Sequence, residues 1–321
     1  MLLKSGKGET MKDANVLYRR KKLKKNIKRY SFIYLLLLLP LVYLCIFRYY
    51  PIILQFILAF KKYRILDGPW GSAWVGLENF KQVFSSPDIV RVLYNTLIIS
   101  SYRLIFGFLP PVFLSIMIFD LTSDRFRKIS QTVLYIPHFF SWVIIYAIIF
   151  ALFTKTGIIN GVVQHLGGKP QNFLIEAKWF KPLIIGSGIW KEVGWGTIIY
   201  MAALGNIDTA LYEAAKIDGA GPLKRLWHVS LPGILPVVVF MLTLSLGTIF
   251  SDNGTEQILL FYTPATYKVG DVIGTWIYRQ GIGKLNYSLG AAVGLFQSII
   301  GFGLVWITNK LANKFAGVGI W

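Results

Sequence analysis

Six long runs of apolar residues constrain the fold of this chain more than any other feature of its sequence. Hydrophobic residues make up 55% of the chain and charged residues 15%, whereas a soluble domain carries roughly a quarter charged residues. Runs of about eighteen or more residues with few charges are typical of helices that cross a bilayer. The sequence therefore predicts an all-α polytopic membrane protein with about six transmembrane helices, at residues 31–60, 90–119, 129–153, 182–204, 231–250 and 287–311.

Basic residues are concentrated before the first predicted span. Eleven of the 34 Lys and Arg residues lie in residues 1–30, a distribution that anionic lipid and the positive-inside rule favour. We predict a cytoplasmic N-terminal tail, residues 1–30, and a transmembrane domain, residues 31–321, whose even number of spans places the C-terminus in the cytoplasm as well. The net charge of +19 then reflects contact with a lipid membrane, and no nucleic-acid partner is expected.

Sequence patterns for catalysis are missing from the chain. It has no G-x-x-x-x-G-K-S/T phosphate-binding loop, no Ser-His-Asp arrangement and no pair of carboxylates at catalytic spacing. The single cysteine, Cys45, lies in an apolar run, and the histidines, His138, His165 and His228, have no metal-ligand spacing. We expect a protein that is not an enzyme and has no catalytic residue, metal site or cofactor of its own.

Charged side chains inside two predicted spans are candidates for function, because charge is costly in a membrane. They are Arg103 in the second span and the adjacent Lys191 and Glu192 in the fourth, with Trp190 and Trp195 nearby. Neighbours in a helix point about 100° apart, so Lys191 and Glu192 need separate partners or water. We favour an ion pair between Arg103 and Glu192. The alternative is a water-filled pathway lined by all five residues.

A polar insert, residues 208–230, separates the fourth and fifth predicted spans. A helix connection commonly needs about two to eight residues, so this insert is longer than a reversal of chain direction requires. Its first half favours a helix that ends at Gly219, which adopts a left-handed conformation without penalty, and Pro222 suits the first turn of a second helix. The alternative is an amphipathic helix lying on lipid. In the favoured interpretation, apolar side chains of the insert form a compact knob that enters a groove on a partner protein. These side chains are Ala214, Ala215, Ala220 and Leu223.

The insert resembles the cytoplasmic coupling loop of permease subunits of bacterial binding-protein-dependent ABC importers, whose motif is E-A-A-x-x-x-G followed by L-P. Trp227 stands where that family more often has phenylalanine. Further stretches around Trp195, at residues 271–278 and at residues 294–298 resemble the carbohydrate-uptake branch, and within it importers of large or acidic oligosaccharides such as alginate. The resemblance covers about residues 30–321. The motif itself is matched by Glu213, Ala214, Ala215, Asp218, Gly219, Ala220, Leu231 and Pro232.

The resemblance implies a type I ABC importer permease fold and transport by alternating access. It implies four kinds of partner in or at the inner membrane of a bacterium: a second homologous permease subunit, two ATP-binding cassette subunits that bind ATP and Mg, an extracytoplasmic solute-binding protein, and lipid. The coupling role then falls to Glu213, Ala214, Ala215, Asp218, Gly219, Ala220, Pro222, Leu223, Trp227, Leu231 and Pro232.

The function we expect is that of the permease subunit of an ATP-driven oligosaccharide importer, acidic oligosaccharides among its substrates. One alternative is a secondary transporter or channel, which would need neither residues 213–232 nor an ATPase partner. Another is a membrane-embedded enzyme acting on lipid-linked sugar, which the lack of an acidic catalytic cluster disfavours.

Overall fold

The computed structural model describes residues 25–26, 28–247 and 254–317. Most of the predicted basic tail, residues 1–30, lies outside these ranges, as do residues 248–250 of the fifth predicted span. The chain divides into two compact units, residues 1–57 and 58–321. The first unit holds most of helix α1 (Ser31–Ala59). The apolar side chains of α1 are largely exposed, which suits a surface that faces lipid rather than water.

The second unit is built of helices, with one two-stranded antiparallel sheet in which Lys61 pairs with Trp74. Its longer helices are α2 (Glu78–Phe84), α3 (Ile89–Phe119), α4 (Asp124–Tyr135), α5 (Trp142–Phe153), α6 (Ile158–His165), α7 (Ala177–Leu204), α8 (Thr209–Ile217), α9 (Pro222–Gly247), α10 (Thr255–Phe261) and α11 (Tyr287–Ala316). The strands and short helical turns are β1 (Lys61–Lys62), Gly68–Gly71, β2 (Ala73–Trp74), Ile136–Phe139, Tyr267–Gly270, Ile273–Trp276 and Ile277–Ile282.

Five stretches of the described chain are long and apolar enough to cross a membrane: α1, α3, α5 with α6, α9, and Tyr287–Lys314 of α11. α7 has 28 residues, enough to span about 30 Å of hydrocarbon, although its lysines, Glu192 and glycines make it less apolar. The prediction of an all-α membrane protein with about six long helices is confirmed. α6 lies in residues 154–180, which the sequence predicts as a loop.

The third predicted span, residues 129–153, is not one helix. α4 and α5 are separated by the turn Ile136–Phe139. Pro137 has no backbone N–H and its ring clashes with the carbonyl four residues earlier in a helix. Ser141 then caps the start of α5, because its Oγ accepts a hydrogen bond from the Ile144 N–H at 3.3 Å. The continuous helix predicted from hydropathy is therefore wrong.

α9 is a single helix that joins the second half of the polar insert to the fifth span. The sequence predicts a boundary near residue 231, but the helix instead passes through a wide turn, Leu226–Ser230, where the Leu231 N–H bonds to the carbonyl of residue 226. Pro232 cannot donate a backbone hydrogen bond, and a widened turn before it makes room for the proline ring.

Close packing of α7 depends on small residues. α7 lies along α3 and also contacts α4. A Cβ at Gly194 would overlap the backbone carbonyl of Leu134 in α4, and one at Gly196 would lie 3.0 Å from the side chain of Pro111 in α3. Small residues permit such close approach of membrane helices. Gly194 is therefore a packing residue at the contact between α7 and α4.

The orientation predicted from charge has a direct test. A reporter enzyme that is active only in the cytoplasm, fused after Gly221, should be active because the insert is predicted to face the cytoplasm. The same reporter fused after Lys268, between α10 and α11, should be silent. Immunoblots of the two fusions control for expression, and the reverse pattern of activity would overturn the orientation.

Candidate functional site

The polar insert folds as a helix closed by a left-handed glycine. Asp208 caps α8, its Oδ1 accepting a hydrogen bond from the Ala210 N–H at 2.9 Å. Gly219 has φ +69°, and the Ala220 N–H donates to the Ala215 carbonyl at 2.8 Å while the Gly219 N–H donates to that of residue 216 at 3.1 Å. This pair of bonds is a Schellman motif. The helix stop predicted at Gly219 is confirmed.

Apolar side chains at the tip of the insert are exposed. Ile217 is 87% exposed and Leu223 74% exposed, and Pro222 occupies the first turn of α9. A cluster of this kind on a polar loop is typical of an interaction surface. Of the residues predicted to form the coupling surface, Ala215, Ala220 and Leu231 are half-buried, and the exposed ones are Glu213, Ala214, Asp218, Gly219, Pro222, Leu223, Trp227 and Pro232.

Polar and aromatic contacts tie the insert to the end of α3. The Nη2 of Arg225 lies 3.0 and 3.1 Å from the two carboxylate oxygens of Asp120. The hydroxyl of Tyr212 lies 3.0 Å from the Oγ of Ser230, and its ring centroid is 6.1 Å from that of Phe119. The insert is thus fixed to the end of α3 by these contacts. Sequence reasoning missed these residues, and Arg225 and Asp120 are 105 positions apart with no pattern that joins them.

A cavity of about 520 Å³ lies among α3, α5, α7, α9 and α10, within the size range of small-molecule sites, roughly 300–1,000 Å³. Four aromatic side chains border it, together with two charged side chains, Arg103 and Glu192. Its other lining residues are small or apolar, apart from Ser100, Ser245 and Gln257. The aromatic lining residues are Phe108, Trp142, Trp195 and Tyr200.

Arg103 is bonded to an amide rather than to a carboxylate. Its Nη2 donates to the Oε1 of Gln257 at 2.5 Å. The Nε2 of Gln257 donates in turn to the carbonyl of Ile184 and the Oγ of Ser187, each at 2.8 Å. The predicted ion pair between Arg103 and Glu192 is therefore wrong, although both side chains border the cavity.

Lys191 satisfies the broken backbone between α4 and α5. Its Nζ donates to the carbonyls of His138 at 2.5 Å and Phe140 at 2.8 Å, and lies 5.6 Å from the ring centroid of Trp142. The residue is 7% exposed. Non-helical backbone at membrane depth requires partners of this kind, so Lys191 holds the break in place.

Glu192 contacts both His138 and Lys191, with 2.8 Å between its Oε2 and the Nδ1 of His138 and 3.6 Å between its Oε1 and the Nζ of Lys191. The expectation that Lys191 and Glu192 have entirely separate partners is therefore wrong, because long side chains on neighbouring residues can still meet. The His138 ring stacks on Trp195 at 4.3 Å between centroids. Arg103, Glu192 and Trp195 thus border the cavity as the pathway interpretation predicts, whereas Trp190 and Lys191 are not among its lining residues.

The stretch at residues 271–278 is organised by a buried carboxylate. Asp271 is fully buried and accepts hydrogen bonds from the Oγ1 of Thr275 at 2.8 Å and the Nη2 of Arg279 at 2.5 Å. Burial, and then the carboxylate of Asp271, raise the pKa of the Tyr262 phenol. The cluster fixes the connection between α10 and α11.

The chain matches known membrane transport proteins over most of its length. A sequence model of the family described as "Binding-protein-dependent transport system inner membrane component" matches residues 104–315. Protein LplB of Bacillus subtilis (strain 168) is 41% identical over 92% of each chain. The polygalacturonan/rhamnogalacturonan transport system permease protein YteP of the same organism is 38% identical over 94% of each chain.

The fold matches a solved transporter as well. One chain in the crystal structure of a bacterial alginate ABC transporter, in complex with an alginate pentasaccharide-bound periplasmic protein, superposes with a TM-score of 0.85 at 35% identity. The match covers 93% of the present chain and 100% of that one.

Proposed function

Since the chain belongs to the family of binding-protein-dependent transport system inner membrane components, we propose that it is the permease subunit of an ATP-driven oligosaccharide importer in a bacterial inner membrane. Acidic oligosaccharides are among the substrates we propose. The names of two relatives support this class, one a polygalacturonan and rhamnogalacturonan permease and the other an alginate transporter. The cavity, with its aromatic walls, is the proposed path of the sugar.

The observation that carries the coupling part of this proposal is the exposed apolar tip of the insert. Ile217 and Leu223 stand out from a loop that is tied to α3 through Arg225 and Asp120. A surface of this kind fits a groove on an ATP-binding cassette subunit, where ATP and Mg would be bound. A second, homologous permease and an extracytoplasmic solute-binding protein complete the proposed assembly, in which the two permeases alternate between inward-facing and outward-facing states.

Co-purification tests the assembly. The tagged chain, extracted from native membranes in mild detergent, should bring with it an ATP-hydrolysing subunit and a second multi-pass protein. A matched chain with Ile217→Ser and Leu223→Ser should bring down less of the ATP-hydrolysing subunit for each copy of the other permease, because only the exposed tip of this chain is changed. Sugar uptake by vesicles that contain the chain alone, without ATP, would instead support a secondary transporter or channel.

Reversing one charge of the Arg225–Asp120 pair should weaken coupling, and reversing both should restore it. Arg225→Asp or Asp120→Arg places like charges at a 3.0 Å contact. A half-exposed pair of this kind contributes about 1 kcal/mol, so each single variant should lose roughly fivefold in ATP-dependent uptake. The double variant should recover most of that loss, as a double-mutant cycle requires for a direct contact.

Arg127→Asp is the matched control for these variants. Arg127 lies in the first turn of α4, seven residues after Asp120, and is paired with Asp124 of the same helix rather than with a residue of the insert. Its uptake should stay close to that of the unmodified chain. Additive losses in the double variant would show that Arg225 and Asp120 act independently.

A further inference from the structure

The charged residues of the cavity are unequally partnered. Glu192 is bonded to His138 at 2.8 Å. Arg103 has no carboxylate within ion-pair distance among the residues that the structure describes, and its bond to Gln257 is to a neutral acceptor. A cation in the membrane with only a neutral partner is costly, which makes Arg103 a candidate for binding an anion.

The position of Gln257 is fixed by other bonds. Both hydrogens of its amide are used, one by the Ile184 carbonyl and one by the Ser187 Oγ. Its Oε1 therefore has to face Arg103. Gln257 is 1% exposed, so this arrangement is built into the fold. It uses one of the five N–H donors of the guanidinium, and no other residue that the structure describes accepts a hydrogen bond from Arg103.

Gly254 supports the guanidinium from a second side. It has φ +90°, and a Cβ at this position would overlap Nη1, Nη2 and Cζ of Arg103. The guanidinium therefore packs against the backbone of Gly254, and both residues border the cavity. With Gln257 and Gly254 on two sides, the planar group is pre-organised to accept a ligand from the cavity.

We propose that Arg103 binds the carboxylate of a uronic acid unit as the oligosaccharide passes through the cavity. The inference rests on the proposed function and names the group that would recognise acidic substrates. A guanidinium matches a carboxylate by two parallel hydrogen bonds, and the rings of Trp142 and Trp195 offer flat apolar surfaces to sugar rings in the same cavity. A single cation, in a cavity that the carboxylate of Glu192 also borders, suits one negative charge better than the two of a phosphate.

The test uses the complete importer, with its binding protein, reconstituted in proteoliposomes. Two probes are taken up in separate assays: trigalacturonate, and the neutral trigalactoside obtained by reducing its carboxyl groups. The binding protein is the same for every variant, so its own preference cancels when ratios of acidic to neutral uptake are compared. Arg103→Gln should lower this ratio at least tenfold with little change in neutral uptake, and Arg103→Lys should lower it less because the charge remains.

Two further variants separate recognition from structure. Gly254→Ala keeps the positive charge but displaces the guanidinium, and should also lower the ratio. Arg91→Gln makes the same chemical change as Arg103→Gln near the beginning of α3, where Arg91 pairs with Asp88 and does not border the cavity. This control should leave the ratio unchanged.

Four results would count against the proposal, and absolute uptake together with the ratio tells them apart. Equal loss of both probes in Arg103→Gln would leave the ratio unchanged and assign Arg103 a structural role. Full uptake of both probes by Arg103→Gln, or ATP-driven uptake of the neutral probe alone by the unmodified importer, would remove the carboxylate site and leave the permease function standing. Failure of the unmodified importer to take up either probe in response to ATP would overturn the proposed function together with the site.

Discussion

Gly219→Val should reduce ATP-dependent sugar uptake at least tenfold and abolish stimulation of ATP hydrolysis by the loaded binding protein. Gly219 has φ +69°, a conformation that costs a β-branched residue on the order of 1–3 kcal/mol. A Cβ at Gly219 meets no atom within 4 Å, so the penalty lies in the backbone and not in a clash. Relief of the strain breaks the Schellman motif and moves Ile217, at the end of α8, relative to Leu223 at the start of α9.

Two substitutions control for this effect. Gly219→Asn should retain most of the uptake, because asparagine tolerates the left-handed conformation better than other residues. Gly221→Val adds the same side chain two residues later, where φ is −68° and where again no atom lies within 4 Å of the new Cβ.

Uptake and ATPase stimulation should be measured on the same vesicles, with insertion of each variant checked by protease accessibility. If a correctly inserted Gly219→Val variant took up sugar like the unmodified chain, and the loaded binding protein still stimulated ATP hydrolysis, the insert could not be the coupling element. Equal losses in Gly219→Val and Gly221→Val would point to the exposed surface rather than to the turn.

Lys191→Met should destabilise the assembled transporter by about 2–4 kcal/mol. Methionine has similar length but no donor, so the carbonyls of His138 and Phe140 would lose the partner that lies 2.5 and 2.8 Å away. An unsatisfied buried acceptor costs about 1–3 kcal/mol. The temperature of half-inactivation of the purified complex should fall by roughly 5 °C or more.

Glu192→Gln is the matched control for Lys191→Met. Its side chain is 49% exposed, so removal of its charge should change stability by less than about 1 kcal/mol. Lys191→Arg retains hydrogen-bond donors, so its loss of stability should lie between the losses in Glu192→Gln and Lys191→Met. A loss in Glu192→Gln as large as that in Lys191→Met would mean that the contacts of Glu192 with His138 and Lys191, and not the carbonyl contacts, hold the break between α4 and α5.

Local features of the chain were predictable because they depend on one residue or a short run. The apolar runs predict most of the long helices, since a run of about twenty apolar residues is long enough to cross a bilayer as a helix. The turn at Gly219 and the helix start at Pro222 follow from backbone restrictions of glycine and proline. These elements are where the sequence and the structure agree.

Contacts between distant segments were not predictable by the same means. Arg103 and Gln257 are 154 positions apart, and a glutamine gives no sign that it will hold an arginine in a cavity. The break at Ile136–Phe139 is hidden because its flanks are as apolar as an uninterrupted span, and Pro137 alone is compatible with a kinked helix. The partner of Lys191 is backbone, which no side-chain pattern marks.

The continuity of α9 fixes a distance between the insert and the cavity wall. From Pro222 to Gly247 the helix has 26 residues, about 39 Å at 1.5 Å per residue, and Met241 and Ser245 border the cavity from it. If the proposed function holds, α9 transmits movement of the insert to the cavity as a rigid helix. A tilt of about 5° around Pro222 moves the cavity wall near Met241 by roughly 2–3 Å. The number of residues in α9 also sets the direction in which Met241 points. One residue inserted between Pro222 and Met241 would turn Met241 about the helix axis by about 100°, away from the cavity.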